Sequence, residues 1–157
     1  IETVYLYNNR LQSLPEAGVL AEWTDLTYFN VESNDLTTDG ISSILALSGL
    51  EQLYLNNNVL IDDLSVLSGL ASLENLGVAT TSESSLEFAR NLTSLDELNL
   101  NNGEFSDLTP LLDITFSLRT LYIYQLDLNC GSSSQASIID QLESSGVSVY
   151  YIPSGCD

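Results

Sequence analysis

Apolar residues recur along this chain in a unit that repeats every 22–25 residues. Each unit carries three apolar positions with the spacing L-x-x-L-x-L, followed by a polar turn and a return segment. Six units begin at residues 1, 26, 50, 73, 95 and 118. A period of this length is typical of solenoids, in which one unit cannot bury its apolar side alone and stacks on the next. With no linker or low-complexity segment between units, the pattern predicts one domain.

Alternation inside the units predicts short parallel strands near residues 3–7, 28–32, 52–56, 75–79, 97–101 and 120–124. The fourth and sixth positions of each unit would face the core, and the third, fifth and seventh would face outward. Glycines punctuate the return segments, which we expect to be short helices of α or 3₁₀ type. Residues 135–144, preceded by three serines and followed by Gly146, predict an amphipathic helix. Residues 147–152 predict a degraded seventh strand.

The units and their connections resemble the leucine-rich repeat family over essentially the whole chain. The segment FSDLTPL at 105–111 is similar to the return segments of internalin-like bacterial repeats. The resemblance implies an α/β solenoid, an arc with a parallel concave sheet of about seven strands and short helical or 3₁₀ segments on the convex side. It implies repeats over residues 1–128 and a capping repeat over residues 129–157.

The ninth position of the first three units is asparagine, at Asn9, Asn34 and Asn58. In this family that side chain bonds backbone groups of the turn, so the resemblance implies a structural role for all three. The same column holds Thr81, Gly103 and Leu126 in later units. We therefore expect looser turns in the C-terminal half.

Composition removes most classes of enzyme. Three Lys plus Arg against 22 Asp plus Glu give a net charge of −19, and the chain contains no His. All three cations are arginines, so Schiff-base and phosphate-loop lysines are excluded, as is histidine-dependent catalysis. Nucleic acid is disfavoured as a partner because phosphate binding needs cations. We predict no catalytic residues, no cofactor and no metal site; adjacent carboxylates such as Asp96 and Glu97 point to opposite sides of a strand.

Tyrosine is concentrated in the outward columns, which hold seven of the eight tyrosines. Tyrosine provides a wide contact area at low entropic cost together with a hydrogen-bonding hydroxyl group. This face predicts binding of a protein or glycan, although tyrosines stacked between parallel strands could also simply stabilise the sheet. Small residues at Gly77 and Ala79 predict a shallow central depression with aromatic walls. The predicted partner-binding residues are Tyr5, Tyr7, Tyr28, Asn30, Tyr54, Asn56, Glu97, Asn99, Asn101, Tyr122, Tyr124 and Tyr150.

Acidic residues occupy the second column at Glu51, Glu74 and Asp96 on three successive units. Like charges this close favour a solvated rim or contact with a basic partner. A calcium site is the weaker interpretation, because the sequence contains no D-x-D-x-D-G loop.

Two cysteines, Cys130 and Cys156, lie in the last sixth of the chain. Such a pair predicts a disulfide that closes the C-terminal cap in an oxidising compartment, with two free thiols as the alternative. We therefore expect an extracellular protein, secreted or on a cell surface. No apolar run approaches the roughly 18 residues of a membrane span, so no membrane insertion is expected.

Two functions remain open from sequence alone. The first is a non-enzymatic extracellular recognition module that uses the concave face, with adhesion as one such role. The alternative is a structural spacer in a larger secreted or surface protein, without a ligand of its own. The first strand also presents an open edge, where a second copy could pair and form a dimer.

Overall fold

A computed structural model describes residues 1–126, 128 and 133–151, except for the side chain of residue 133. Seven strands form one parallel sheet in chain order, β1 through β7. The strands are Thr3–Tyr5, Tyr28–Asn30, Gln52–Tyr54, Asn75–Gly77, Glu97–Asn99, Thr120–Tyr122 and Ser148–Tyr150. Strand, turn and return segment repeat along the described part of the chain, which confirms the leucine-rich repeat solenoid.

The first six strands begin at the predicted residues and end two residues earlier than predicted. Hydrogen bonding between neighbouring units nevertheless continues past each strand end. The amide of Leu6 donates to the carbonyl of Asn30 at 2.8 Å, and that of Asn8 donates to the carbonyl of Glu32 at 2.9 Å. The sixth, seventh and eighth positions therefore remain aligned between units although their backbone turns out of strand geometry.

Short helices return the chain to the start of each new strand. The helix α1 spans Ala17–Leu20, and α2 spans Ser133–Ser144. The 3₁₀ helices span Asp39–Ala46, Ser65–Gly69, Glu87–Asn91 and Thr109–Ile114. The predicted C-terminal helix is confirmed, and Gly146 ends it with φ of +93°. The amide of Val147 there donates to the carbonyl of Leu142 at 3.1 Å, a bond typical of a glycine-terminated helix.

The core is one continuous apolar column between the sheet and the return segments. The predicted inward residues of the central units are all at most 2% exposed: Leu53, Leu55, Leu76, Val78, Leu98, Leu100, Leu121 and Ile123. The return segments also contribute side chains to the core. Trp23, for example, packs edge-on against Phe29 with ring centroids 6.2 Å apart. Burial is achieved by stacking, because each of the strands β2 to β6 has a neighbour at the same register on both sides.

The asparagines of the second and third units satisfy buried turn backbone. Asn34 donates to the carbonyls of Leu6 and Val31, each at 2.9 Å, and its oxygen accepts from an amide of the preceding turn at 3.0 Å. Asn58 repeats this arrangement one unit later and is fully buried. Asn9 bonds only within its own turn and is exposed.

Turn backbone is the same in all six repeats, whichever residue occupies the ninth position. The eighth residue has φ between +53° and +60° in every turn: Asn8, Ser33, Asn57, Thr80, Asn102 and Gln125. This conformation is costly for a β-branched residue such as Thr80. The backbone torsion thus gives no sign of the looser C-terminal turns that the sequence predicts.

Cys130 and Cys156 lie outside the described residues, so the disulfide stays a prediction. Among the residues that are described, no helix is long and apolar enough to cross a membrane. The same part of the chain contains no group of three or more His, Cys, Asp or Glu side chains placed to hold a metal ion.

Candidate functional site: the concave face

Strand register sets the outward columns of the concave face. Thr3 aligns with Tyr28, and Tyr28 aligns with Gln52 in the next strand. The fifth column continues in the same way through Asn99, Tyr122 and Tyr150. The sequence-predicted columns are therefore real rows of side chains, spaced by the roughly 4.8 Å between strands.

Four tyrosines form one connected group at the start of the sheet, here called the N-terminal tyrosine group: Tyr5, Tyr7, Tyr28 and Tyr54. The rings of Tyr5 and Tyr28 have centroids 5.1 Å apart, and those of Tyr28 and Tyr54 are 5.5 Å apart. Tyr7 meets Tyr5 edge-on at 6.2 Å. Tyr5 and Tyr7 are exposed, at 59% and 50%, while the other two are half-buried by this stacking.

The C-terminal tyrosine group consists of Tyr122, Tyr124 and Tyr150 at the other end. Tyr122 and Tyr150 stack with centroids 5.1 Å apart and an interplanar angle of 20°. The Asn101 oxygen accepts from the amide of Tyr124 at 2.7 Å, which holds this turn against its neighbour. The face therefore carries aromatic surface at both ends.

The strip between the two groups is less open than predicted. The side chain of Asn56 lies over Gly77, where an added Cβ would come within 2.6 Å of the Asn56 Nδ2 atom. Its oxygen accepts from the amide of Ala79 at 2.8 Å, and Ala79 is buried. The depression predicted above Gly77 and Ala79 thus has Asn56 as part of its floor.

Two asparagines predicted to touch a partner lie beneath the surface. Asn30 and Asn56 are each 8% exposed, and both donate hydrogen bonds to the carboxylate of Glu32. Their side chains therefore orient the Glu32 carboxylate and offer little surface of their own. Asn99 and Asn101 are half-buried and remain accessible.

Two carboxylates face the concave surface and differ in their partners. The carboxylate of Glu32 accepts from the two asparagine amides, whereas Glu97 is half-buried and its carboxylate has no hydrogen bond or ion pair within the described residues. Burial raises the pKa of Tyr54, and the neighbouring Tyr28, Glu97 and Glu32 raise it further. Burial and then Glu97 likewise raise the pKa of Tyr122. Both phenols are consequently neutral at physiological pH.

Glu32 was not among the predicted site residues, although it stands in the seventh outward column. The signal available in the sequence was the column itself, occupied elsewhere by Tyr7, Asn101 and Tyr124. Its link to the buried asparagines depends on side-chain packing between two neighbouring units.

The acidic second column borders this face on consecutive strands. Glu51, Glu74 and Asp96 are exposed, and their backbone groups pair successive units at 2.7–2.8 Å. No arginine lies in the third, fifth or seventh columns. Arg90 pairs with Glu87 and Asp113 among the 3₁₀ helices, and Arg119 donates to carbonyls of its own return segment. The concave face is therefore aromatic and acidic without a compensating cation.

Solved structures with the same architecture include leucine-rich repeat proteins of bacteria. An internalin (InlF) from Listeria monocytogenes superposes with a TM-score of 0.80 at 26% identity, covering 95% of this chain and 40% of its own. A leucine-rich repeat protein from Leptospira interrogans gives 0.73 at 25% identity, covering 82% of this chain and 32% of its own. The chain thus has the leucine-rich repeat fold with internalin-like relatives. No family model matches it.

Two further similar proteins are much longer than this chain. A curated relative, the probable serine/threonine-protein kinase pats1 of Dictyostelium discoideum, is 29% identical over 149 residues, which are 90% of this chain and 5% of the kinase. The plant peptide hormone receptor RGFR1, solved in complex with RGF2, gives a TM-score of 0.63 at 22% identity. It shares the fold over 80% of this chain and 21% of the receptor.

Proposed function

We propose that this domain is a non-enzymatic extracellular recognition module that binds a protein partner across its concave face. The observation that carries the proposal is the placement of tyrosine. Seven of the eight tyrosines line the one open sheet, and the two exposed ends of that sheet are both aromatic. Tyrosine is enriched where proteins recognise other proteins because it combines apolar area with a hydroxyl group and loses little entropy.

Similarity to known proteins supports the same function. Internalin InlF shares the fold over most of this chain. The plant receptor was solved with a bound peptide hormone, so an arc of this kind can hold a polypeptide. Extracellular location and an adhesive role are parts of the proposal, drawn from these relatives and from the predicted disulfide.

A displayed library of random 12-residue peptides, selected on the purified domain, tests the proposal. Each selected peptide would be measured against the wild type and against the triple variant Tyr5→Ala, Tyr54→Ala, Tyr122→Ala. We expect selected peptides to lose at least roughly tenfold in affinity on this variant, since buried aromatic anchors dominate such interfaces. A glycan array run beside the library covers the other ligand class that the sequence left open.

A matched control removes exposed apolar side chains elsewhere. Leu45, Leu60 and Phe116 are 47%, 53% and 62% exposed and lie outside the concave columns. Their triple alanine variant should keep full affinity, while circular dichroism confirms that both variants are folded. Peptides that bind both triple variants equally would contradict the proposal, and glycan binding without peptide binding would replace the protein partner.

A further inference from the structure

The strip between the two tyrosine groups is a cleft two strands wide, here called the central cleft. Tyr54 on β3 and Tyr122 on β6 share the fifth column and are separated by Gly77 and Asn99. At about 4.8 Å between strands, their backbones lie roughly 14 Å apart along the sheet. That width accepts one extended polypeptide segment or one long side chain lying flat. Gly77 has no side chain, and the side chain of Asn56 lies over it between Tyr54 and Asn99.

Glu97 gives the central cleft its charge. It lies on the third column of β5, one strand from Tyr122, and is half-buried, and its carboxylate has no hydrogen bond or ion pair in the described residues. Because this carboxylate has no partner of its own, it is available to pair with an opposite charge on a bound segment. Its field reaches both walls, because it contributes to the raised pKa of Tyr54 and of Tyr122.

The surroundings add to this negative potential. Glu32 lies beside Tyr54, the exposed acidic column of Glu51, Glu74 and Asp96 borders the sheet, and the whole chain carries −19. The outward columns themselves contain neither lysine nor arginine. Aromatic faces next to an unpaired carboxylate attract a flat, weakly hydrated cation, since ring quadrupole and charge act together. Arginine fits better than lysine because its guanidinium group can stack on a ring and bond a carboxylate at once.

We infer that the central cleft takes an arginine side chain from a basic segment of the protein partner, with its guanidinium group against Tyr54 or Tyr122 and paired with Glu97. This inference rests on the proposed function and names the chemistry of its ligand. Long-range attraction to the acidic face would speed the encounter with a basic segment, and binding would weaken as salt increases.

The test uses N-acetyl-arginine amide as the probe and N-acetyl-citrulline amide as its neutral isostere. Each is titrated into ¹⁵N-labelled protein, and the backbone amide signals of Gly77 and Asn99 are followed by NMR. We expect saturable shifts at these amides with the arginine probe and at least roughly fivefold weaker binding of citrulline, which lacks the charge. Equal binding of both probes, or shifts confined to other surfaces, would overturn the inference.

Two variants separate the roles of charge and ring. Glu97→Gln should weaken the arginine probe by roughly tenfold, whereas Glu74→Gln, on the exposed rim one strand away, should leave it nearly unchanged. Tyr54→Phe together with Tyr122→Phe should retain the probe, and the corresponding leucine variants should not, since only the ring face is required. Arginine binding that survives Glu97→Gln would contradict the assigned pairing.

The peptide selection distinguishes failure of this inference from failure of the proposed function. Peptides that depend on the concave tyrosines but contain no excess of arginine, and bind Glu97→Gln normally, would overturn only the inference. A saturable arginine site in the central cleft, without any peptide that depends on the tyrosines, would support the chemistry of the cleft and overturn the proposed function.

Discussion

The turns at the two halves of the solenoid share one backbone path but are held by different side chains. In the second and third units, Asn34 and Asn58 each donate to three carbonyls of their own and the preceding unit at 2.8–3.5 Å and accept from one amide of the preceding unit at 3.0–3.1 Å. In the fourth unit Thr81 makes one such bond, at 3.0 Å. Yet φ of the preceding residue is +58° both at Asn57 and at Thr80. Stacking of the units, rather than the ninth residue, therefore sets the turn conformation.

Other side chains bond the backbone where the asparagines stop. Glu83 is 7% exposed and accepts from the amides of Leu64 and Ser84 at 2.8 Å and of Ser85 at 2.6 Å. Gln135 accepts from the amide of Leu108 at 3.0 Å. A buried amide needs a hydrogen-bond acceptor, and in these units the acceptor is the side chain of a residue outside the ninth position. The comparison teaches that the turn is conserved in shape while its hydrogen-bonding partners vary.

The largest effect is expected from Asn58→Ala. The substitution removes the donor to the carbonyl of Leu55 and the acceptor of the buried amide of Leu36, while the carbonyl of Val31 keeps its hydrogen bond from Asn34. We expect the free energy of unfolding to fall by about 2–4 kcal/mol. Urea unfolding followed by circular dichroism measures it. A loss no greater than that of Asn9→Ala, whose bonds are local and exposed, would show that the asparagine ladder is dispensable.

Glu83→Ala should give the next largest loss of unfolding free energy. It removes the acceptor of three backbone amides, of which that of Leu64 is buried, and we expect a loss of about 2–3 kcal/mol. Glu83→Gln keeps one acceptor oxygen and should fall between the alanine variant and the wild type in the same urea experiment. If both variants unfold like the wild type, the C-terminal half does not need its substitute acceptor.

Gly103→Ala tests why the asparagine column stops. A Cβ at Gly103 would lie 2.7 Å from the ring of Phe105 and 3.0 Å from the carbonyl of Leu100, so the buried ring must move. We expect a loss of about 1–2 kcal/mol in thermal or urea unfolding. Gly49→Ala is the matched control, because nothing lies within 4 Å of its added Cβ. Equal stability of the two variants would mean that Phe105 does not block this position.

Thr81→Val keeps the shape of the side chain and removes its single hydrogen bond to the carbonyl of Val78. We expect a loss of about 1 kcal/mol, clearly less than for Asn58→Ala. Hydrogen exchange at the amides of the fourth turn would show whether the effect is local. A loss as large as that of Asn58→Ala would contradict the contrast between the two halves.

Acidification gives the smallest expected effect. Hydrogen bonds from the side chain and backbone of Thr109 hold the pKa of Asp107 below its ordinary value of 3.8, and Gln135 adds to them. Because the folded-state pKa is the lower one, this stabilisation is present above pH 3.8 and is lost as pH falls through the folded value. Asp107→Asn should therefore lose less stability than the wild type between pH 5 and pH 2. Parallel pH profiles for the two proteins would exclude this contribution.

Sequence predicted the repeating strands well because burial in a solenoid is local and periodic. Leu53, Leu76 and Leu98 recur at a fixed spacing, and only an inward position accommodates such a column. It made no prediction for Glu83, which stands where other units have an apolar residue and whose burial nothing in the spacing indicates. The outward columns were also predictable, although the accessibility of each member was not.

The amino-acid sequence by itself determined the repeat, the register of the outward columns and the concentration of tyrosine on one face. These follow from side-chain alternation and period, which are properties of each unit alone. Only the tertiary structure decided that Asn30 and Asn56 are buried beneath Glu32 and that Asn56 forms part of the floor of the central cleft. It alone also decided that the Glu97 carboxylate has no partner between the two tyrosine groups. Those outcomes depend on which side chains meet across neighbouring units, where packing and hydrogen bonding compete for the same space.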